Sequence, residues 1–260
     1  MQGAVLAWWL ALCVTTAVNA GLWAWSARVL AQRAPHMPAE LLASRRRMVW
    51  LSAVYLLGCG FRSVFPMVDL PRICLHDTWI SRIVVGRTVA TIAELCFALQ
   101  WASLLREAGA GLIARLIVPI IVLAEISCWG AVLASNYLLH AIENSLWTLD
   151  AVLALAVFLS LRGRVQGGTA RFIRAATVCA VVYIAFMVTF DVPMYLSRWL
   201  AAGSGGPSLD EGLRSLLARC IVERDWDAWR RDALWLSPYF SVVVWTSIAL
   251  AHAPPLRTSR

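Results

Sequence analysis

Lysine is absent from this chain: all 23 of its basic residues are arginine. A retinal or pyridoxal group is held as a Schiff base on a lysine amine, so that chemistry, rhodopsin-type photochemistry included, is excluded. Charge of either sign is scarce, at 15% of residues against 60% hydrophobic ones. A soluble domain averages roughly 45–50% apolar residues, so an ordinary soluble globule is excluded too. No H-E-x-x-H, no H-x-x-x-H and no G-x-S-x-G occurs, and the seven cysteines contain no C-x-x-C. The usual signatures of a zinc hydrolase, a serine hydrolase and a thioredoxin-like redox site are therefore missing.

What the chain does have is apolar runs of about 20 residues, the length that crosses a bilayer as a helix. They fall at Ala4–Ala27, Met48–Val68, Trp79–Leu105, Leu112–Leu139, Ile142–Leu161, Phe172–Leu196 and Ala233–Ala251. The expected fold is all-α: one transmembrane domain over residues 1–260, a multi-pass bundle of seven helices. The opening MQGAVLAWWLALC lacks a basic n-region, and the run continues to Ala27 without a cleavage site, which predicts a retained first span. Residues 197–232 form a long loop between spans six and seven. Within it, GSGGP at 203–207 reads as a flexible break, and Ser208 and Glu211 have the spacing of a capping box. Leu209, Leu213, Leu216, Leu217 and Cys220 then follow helical spacing, which predicts an amphipathic helix on the outer surface, as a lid or as a membrane-surface helix. Trp226, Trp229 and Trp235 suit an interfacial aromatic anchor.

The arginines orient the bundle. Arg28, Arg33, Arg45, Arg46 and Arg47 fall in the first connection, Arg106 and Arg115 at the third, Arg162, Arg164, Arg171 and Arg174 at the fifth, and Arg257 and Arg260 in the tail. The opposite side holds Arg72 in a short loop, and its long loop balances six arginines with six acids. Cytoplasmic loops are enriched in basic residues, so the N-terminus is expected outside and the C-terminus in the cytoplasm, in the cell's inner membrane. The formal charge of +8 is then a topology signal. No nucleic acid is implied; the expected partners are the lipid bilayer and a small ligand.

Charged side chains inside a bilayer are costly, about 2.5–3.5 kcal/mol each on insertion scales, and they face the bundle interior. At helical spacing, Tyr55, Cys59, Arg62, Pro66 and Asp69 share a stripe, as do Arg87, Thr91, Glu94 and Ala98. Glu125, Trp129, Val132 and Asn136 align, with His140 nearly in line; so do Glu143, Trp147 and Asp150, and Ile184, Met187 and Asp191. The expectation is a polar chamber open to the outside, built from Arg62, Arg82, Arg87, Glu94, Glu125, Asp150 and Asp191. Arg87 and Glu94 lie two turns apart on one helix, about 10 Å along its axis. Separate partners are therefore expected: Asp150 or Asp191 for Arg87, and Arg62 or Glu125 for Glu94. A Glu94–Glu125 contact would keep one carboxyl protonated. Small Gly86, Ala90 and Ala93 would admit a neighbouring helix.

His140 and Glu143 have an H-x-x-E spacing that sets two ligands on one helical face, and His76 lies on the same outer side. No metal is assigned, His76, His140 and Glu143 being the residues that would serve one, and no cofactor is expected. The alternative for these residues is interfacial solvation. Cys74 and Cys220 alone among the cysteines fall in outer loops, where an oxidising compartment permits a disulfide.

Three functions follow. The first is binding or transport of a small polar or anionic solute, with proton coupling open to it: Arg62, Arg82 and Arg87 attract the anion, Glu94 and Glu125 carry the proton, Asp150 and Asp191 balance the arginines. The second is an intramembrane enzyme on a lipid or lipid-linked substrate, with Glu94 or Asp191 as acid or base. The third is a sensor or structural subunit. In span count and outer N-terminus the chain is similar to receptors, rhodopsins and sugar facilitators, a likeness of architecture that carries no function.

Overall fold

The computed structural model describes residues 3–203 and 207–256. The centre of the GSGGP break and the arginines of the tail lie outside them. Ten α-helices carry the fold among the described residues: α1 Gly3–Arg33, α2 Ala39–Val64, α3 Ile83–Glu107, α4 Gly111–Ala134, α5 Tyr137–Leu161, α6 Gly167–Phe186, α7 Val192–Ala202, α8 Leu209–Leu217, α9 Trp226–Pro238 and α10 Val244–Leu250. A π-helical turn at Met187–Asp191 joins α6 to α7, and another at Tyr239–Val243 joins α9 to α10. Both unions read as single long rods.

Six helical segments are long and apolar enough to cross a membrane: Gly3–His36, Ile83–Glu107, Gly111–Ala134, Tyr137–Leu161, Gly167–Ala202 and Trp226–Leu250. The chain is an all-α integral membrane protein. The expected second span departs from this pattern. Phe65 precedes Pro66 and leaves the helical region (φ −116°, ψ 71°), as the steric clash of a following proline demands. The helix therefore stops at Val64, and its apolar part, between Arg47 and that stop, is short and includes Arg62. Other boundaries shift as well. α5 starts at Tyr137, so His140 and Glu143 are helical and buried, not solvated at an edge. The last rod starts at Trp226, so the end of the expected long loop is helix, N-capped by Asp225, whose side chain accepts from the Asp227 N–H.

The chain divides into two compact units, Met1–Gln100 with Leu213–His252, and Trp101–Gly212 with Ala253–Arg260. In the first, α1 lies against α2, α9 and α10. Gly58 on α2 sits where a Cβ would come 2.6 Å from the Ala93 methyl of α3, so these two helices touch through small residues. Gln100, fully buried, donates to the carbonyls of Met48 and Ser247 at 2.9 and 3.1 Å and accepts from the Ser247 hydroxyl at 2.6 Å. A π turn disrupts the ordinary carbonyl ladder; Asn19 bonds the Phe240 carbonyl at 2.8 Å and accepts from Trp245.

A small sheet joins distant parts of this unit. Strand β1 (Met67–Val68) pairs antiparallel with β2 (Ile73–Cys74), and β2 pairs parallel with β3 (Ile221–Val222). A disulfide links Cys74 to Cys220 across 146 residues, the pairing that the two loop cysteines suggested. Trp229 corrects the expected interfacial anchor: it is fully buried, 5.4 Å from the Trp8 ring, and its indole donates to the Glu223 carbonyl. An anchor needs a wet polar end; here the protein supplies the acceptor.

In the second unit α5 lies against α4, α6 and α7. Helix α8 starts with the expected capping box. Glu211 accepts from the backbone and hydroxyl of Ser208 at 2.8 and 2.9 Å, and Ser208 accepts from the Glu211 N–H at 3.4 Å. Those bonds favour the ionised acid and hold the Glu211 carboxyl below its usual range. Leu216 is buried while Leu209, Leu213 and Leu217 are exposed.

Candidate functional site

The first unit contains a buried ionic network. Arg87 projects from the first turn of α3 and spans the two turns expected to separate it from Glu94, its Nη2 donating to Glu94 Oε2 at 2.5 Å. Its Nη1 reaches Asp69 Oδ2 at 3.4 Å. This corrects the expectation that Arg87 and Glu94 pair apart from each other. The axial distance is about 10 Å, and a long guanidinium arm with a shorter carboxylate arm closes it when neither end meets water. Both residues are buried, at 4% and 8% exposure.

Tyr239 completes the network. It opens the π turn after α9 and donates its hydroxyl to Glu94 Oε1 at 2.6 Å. Tyr55 of α2 lies between Phe97, stacked at 4.9 Å, and the Tyr239 ring at 6.3 Å. Sequence reasoning missed Tyr239, because a phenol carries no charge to flag it. Pro238 just before it, within a long apolar rod, was the available signal.

Arg62, at the last turn of α2 and 5% exposed, converges on the same strand segment. Its Nη2 makes a 3.4 Å contact with the Met67 carbonyl, two residues before Asp69, and its buried Nε has no hydrogen-bond partner among the described residues. Gly86 makes room here: a Cβ on it would collide with the Met67 side chain. Arg82 lies one turn before Gly86, half-buried, with its Nε also unsatisfied. Of the three arginines, Arg87 is the one seen against the carboxylates Asp69 and Glu94. His76, in the segment after β2, lies between the Trp9 and Phe65 rings at 5.2 and 5.9 Å. Burial and the Arg224 charge push its imidazole below the usual histidine range.

The remaining expected site residues belong to the second unit. Glu125, Asp150 and Asp191 are all buried, at 4%, 7% and 7% exposure. Asp191 lies in the π turn between α6 and α7. Asp150, expected to balance an arginine, has both carboxylate oxygens buried without a hydrogen-bond partner among the described residues. Its stripe on α5 does face inward, but no donor reaches it.

A second cluster lies beside the α4–α5 turn. Ser135 adopts a left-handed conformation (φ 48°) that ends α4, and Asn136 caps α5 by accepting from the Leu138 N–H at 2.9 Å. The helices therefore reverse within two residues, with the Leu139 side chain over Gly130. The reversal lays the last turns of α4 against the first turns of α5, which brings Cys128 to His140 and Glu143. His140 Nδ1 is 2.8 Å from Glu143 Oε2 and 3.8 Å from Cys128 Sγ. All three are buried, and the Tyr195 ring lies 5.1 Å from the imidazole. The His140–Glu143 pairing follows its spacing; Cys128 was not among the expected ligands.

Family models, curated proteins and solved structures were all compared with the chain, and none matches. The reading of function rests on the sites themselves.

Proposed function

We propose that this protein spans the cell's inner membrane seven times, with its N-terminus outside, and binds a small anionic solute at Arg62, Arg82 and Arg87. Helix α2 is the seventh span: 26 residues give about 39 Å of helix, enough to cross. The Cys74–Cys220 disulfide favours an oxidising compartment for the strand segment beside Arg62, in keeping with an outward-facing mouth.

One observation carries the binding reading: a buried guanidinium, Arg62, whose Nε lacks a partner among the described residues and whose bond to the Met67 carbonyl is long. A buried donor without a partner costs about 1–3 kcal/mol, more when charged. A planar anion with two oxygens meets a guanidinium edge bidentately and removes that cost. Glu94 and Asp69 hold Arg87 in place, and Tyr239 holds Glu94. Protonation of Glu94 during turnover would free Arg87 for the solute, which is how proton coupling enters.

The test is mass spectrometry of the purified protein for co-purified small anions, wild type beside Arg62→Gln and Arg87→Ala. The reading expects a carboxylate or phosphate species on the wild type that both variants lose. Identical spectra from all three, with melting unchanged by added carboxylates and phosphates, would overturn it.

A further inference from the structure

Cys128, His140 and Glu143 offer a thiolate, an imidazole and a carboxylate whose ligand atoms all lie within 4.8 Å of one another. We propose that these three residues bind a divalent transition ion of the zinc class.

The donor chemistry selects the metal. Thiolate with imidazole suits zinc and its neighbours, whereas magnesium and calcium take oxygen donors. The spacing agrees. With zinc–sulfur at about 2.3 Å and zinc–nitrogen at about 2.0–2.1 Å, tetrahedral geometry sets sulfur and nitrogen about 3.5 Å apart. Cys128 Sγ and His140 Nδ1 stand 3.8 Å apart, so a contraction of a few tenths of an ångström suffices. The 2.8 Å between Nδ1 and Glu143 Oε2 is a hydrogen bond, and an ion between them opens it to about 3.4 Å. That opening needs only a rotation of the glutamate side chain. The backbone is already set by the two-residue reversal at Ser135 and Asn136, and the imidazole is held on one face by Tyr195.

Burial favours the same assignment. A thiol, an imidazole and a carboxylate are poor occupants of an apolar interior unless they bond to one another or share a cation. On binding, Cys128 releases its thiol proton to solvent and the imidazole proton moves to Nε2, so uptake is accompanied by proton release. Three protein donors leave the fourth position open to water or a substrate group, the arrangement of catalytic rather than structural zinc.

The experiment uses the full chain purified in detergent and stripped with a chelator. Cobalt(II) is added and the near-ultraviolet thiolate-to-cobalt band is recorded, with zinc affinity measured by calorimetry. The proposal expects one equivalent of either ion and a clear charge-transfer band. Cys128→Ser should abolish the band while retaining weaker binding. His140→Gln and Glu143→Gln should each weaken zinc at least about tenfold, the lower end of the loss from removing even an outer partner of a metal ligand. Cys59→Ala should leave band and affinity unchanged. Wild-type protein that shows no band and takes up no zinc overturns the proposal without reference to any variant. So does a band that survives Cys128→Ser.

Discussion

The hydroxyl of Tyr239 and the carboxylate of Glu94 meet at 2.6 Å although 145 residues separate them. This bond fastens the last rod to α3 and holds Glu94 on the side opposite Arg87. Neutral hydrogen bonds inside membranes average about 0.6 kcal/mol, but bonds to a charged acceptor are roughly twice as strong as neutral ones. Tyr239→Phe should therefore lower stability by about 1–2 kcal/mol. Glu94→Gln should cost more, about 3–5 kcal/mol, because it takes from a buried guanidinium its carboxylate partner on the same helix. Arg87→Gln combined with Glu94→Gln should cost less than the sum of the two single changes. Reversible unfolding in mixed micelles measures all four; strict additivity would mean that the pair is not coupled.

The Cys74–Cys220 bridge gives a test of sidedness. A membrane-impermeant maleimide applied to intact cells should label these two cysteines only after reduction. A cysteine placed at the exposed Arg164 should be labelled only after the membrane is broken. Labelling of Arg164→Cys from outside would reverse the orientation. Cys74→Ser should also lower stability by about 2–5 kcal/mol, the usual range for losing a native bridge.

The sequence made the membrane class, most rod positions, the capping box and the cysteine pair legible. Each rests on a local signal: an apolar run, an S-x-x-E spacing, or two cysteines sorted to one side by arginine counts. The ionic network was half legible. Helical phase placed Arg87 and Glu94 on one stripe, but axial distance alone argued against their pairing, because side-chain reach in a dry interior was not counted. Tyr239 and Cys128 were not among the expected site residues, and Asp69 was placed on the Arg62 stripe without a partner. Their partners arrive through a π turn, a two-residue strand and a helical reversal, none of which has a periodicity to read.

Histidine protonation predicts an acid limb of stability. Burial and Arg224 depress the His76 pKa; burial, then Arg33 and Arg45, depress that of His252, whose Nε2 lies 2.6 Å from the Ser26 hydroxyl. A histidine depressed in the folded state binds protons better when unfolded. Above the unfolded value of 6.5 neither state is protonated and the effect vanishes. As pH falls below 6.5, stability should drop until the folded values are passed. Melting temperature against pH between about 7.5 and 5 tests this, near the reference histidine range. His76→Gln with His252→Gln should flatten that limb, and an unchanged slope would remove these imidazoles as its source.

Asp150 should behave in the opposite way from Glu94, although both are buried acids on inward stripes. Glu94 accepts from Arg87 and Tyr239, whereas neither oxygen of Asp150 has a hydrogen-bond partner among the described residues. Removing a satisfied partner strands the group left behind; removing an unsatisfied group strands nothing and relieves its desolvation, about 1–3 kcal/mol. Asp150→Asn and Asp150→Leu should therefore leave stability unchanged or raise it by up to about that amount. If Asp150 serves the solute or the proton, both variants should fold well and lose transport or binding, so stability and function separate at this position. The decisive comparison is Asp150→Leu against Glu94→Leu in one micelle system. Equal destabilisation by the two would show that Asp150 is held by a partner as firmly as Glu94 is, contrary to the geometry.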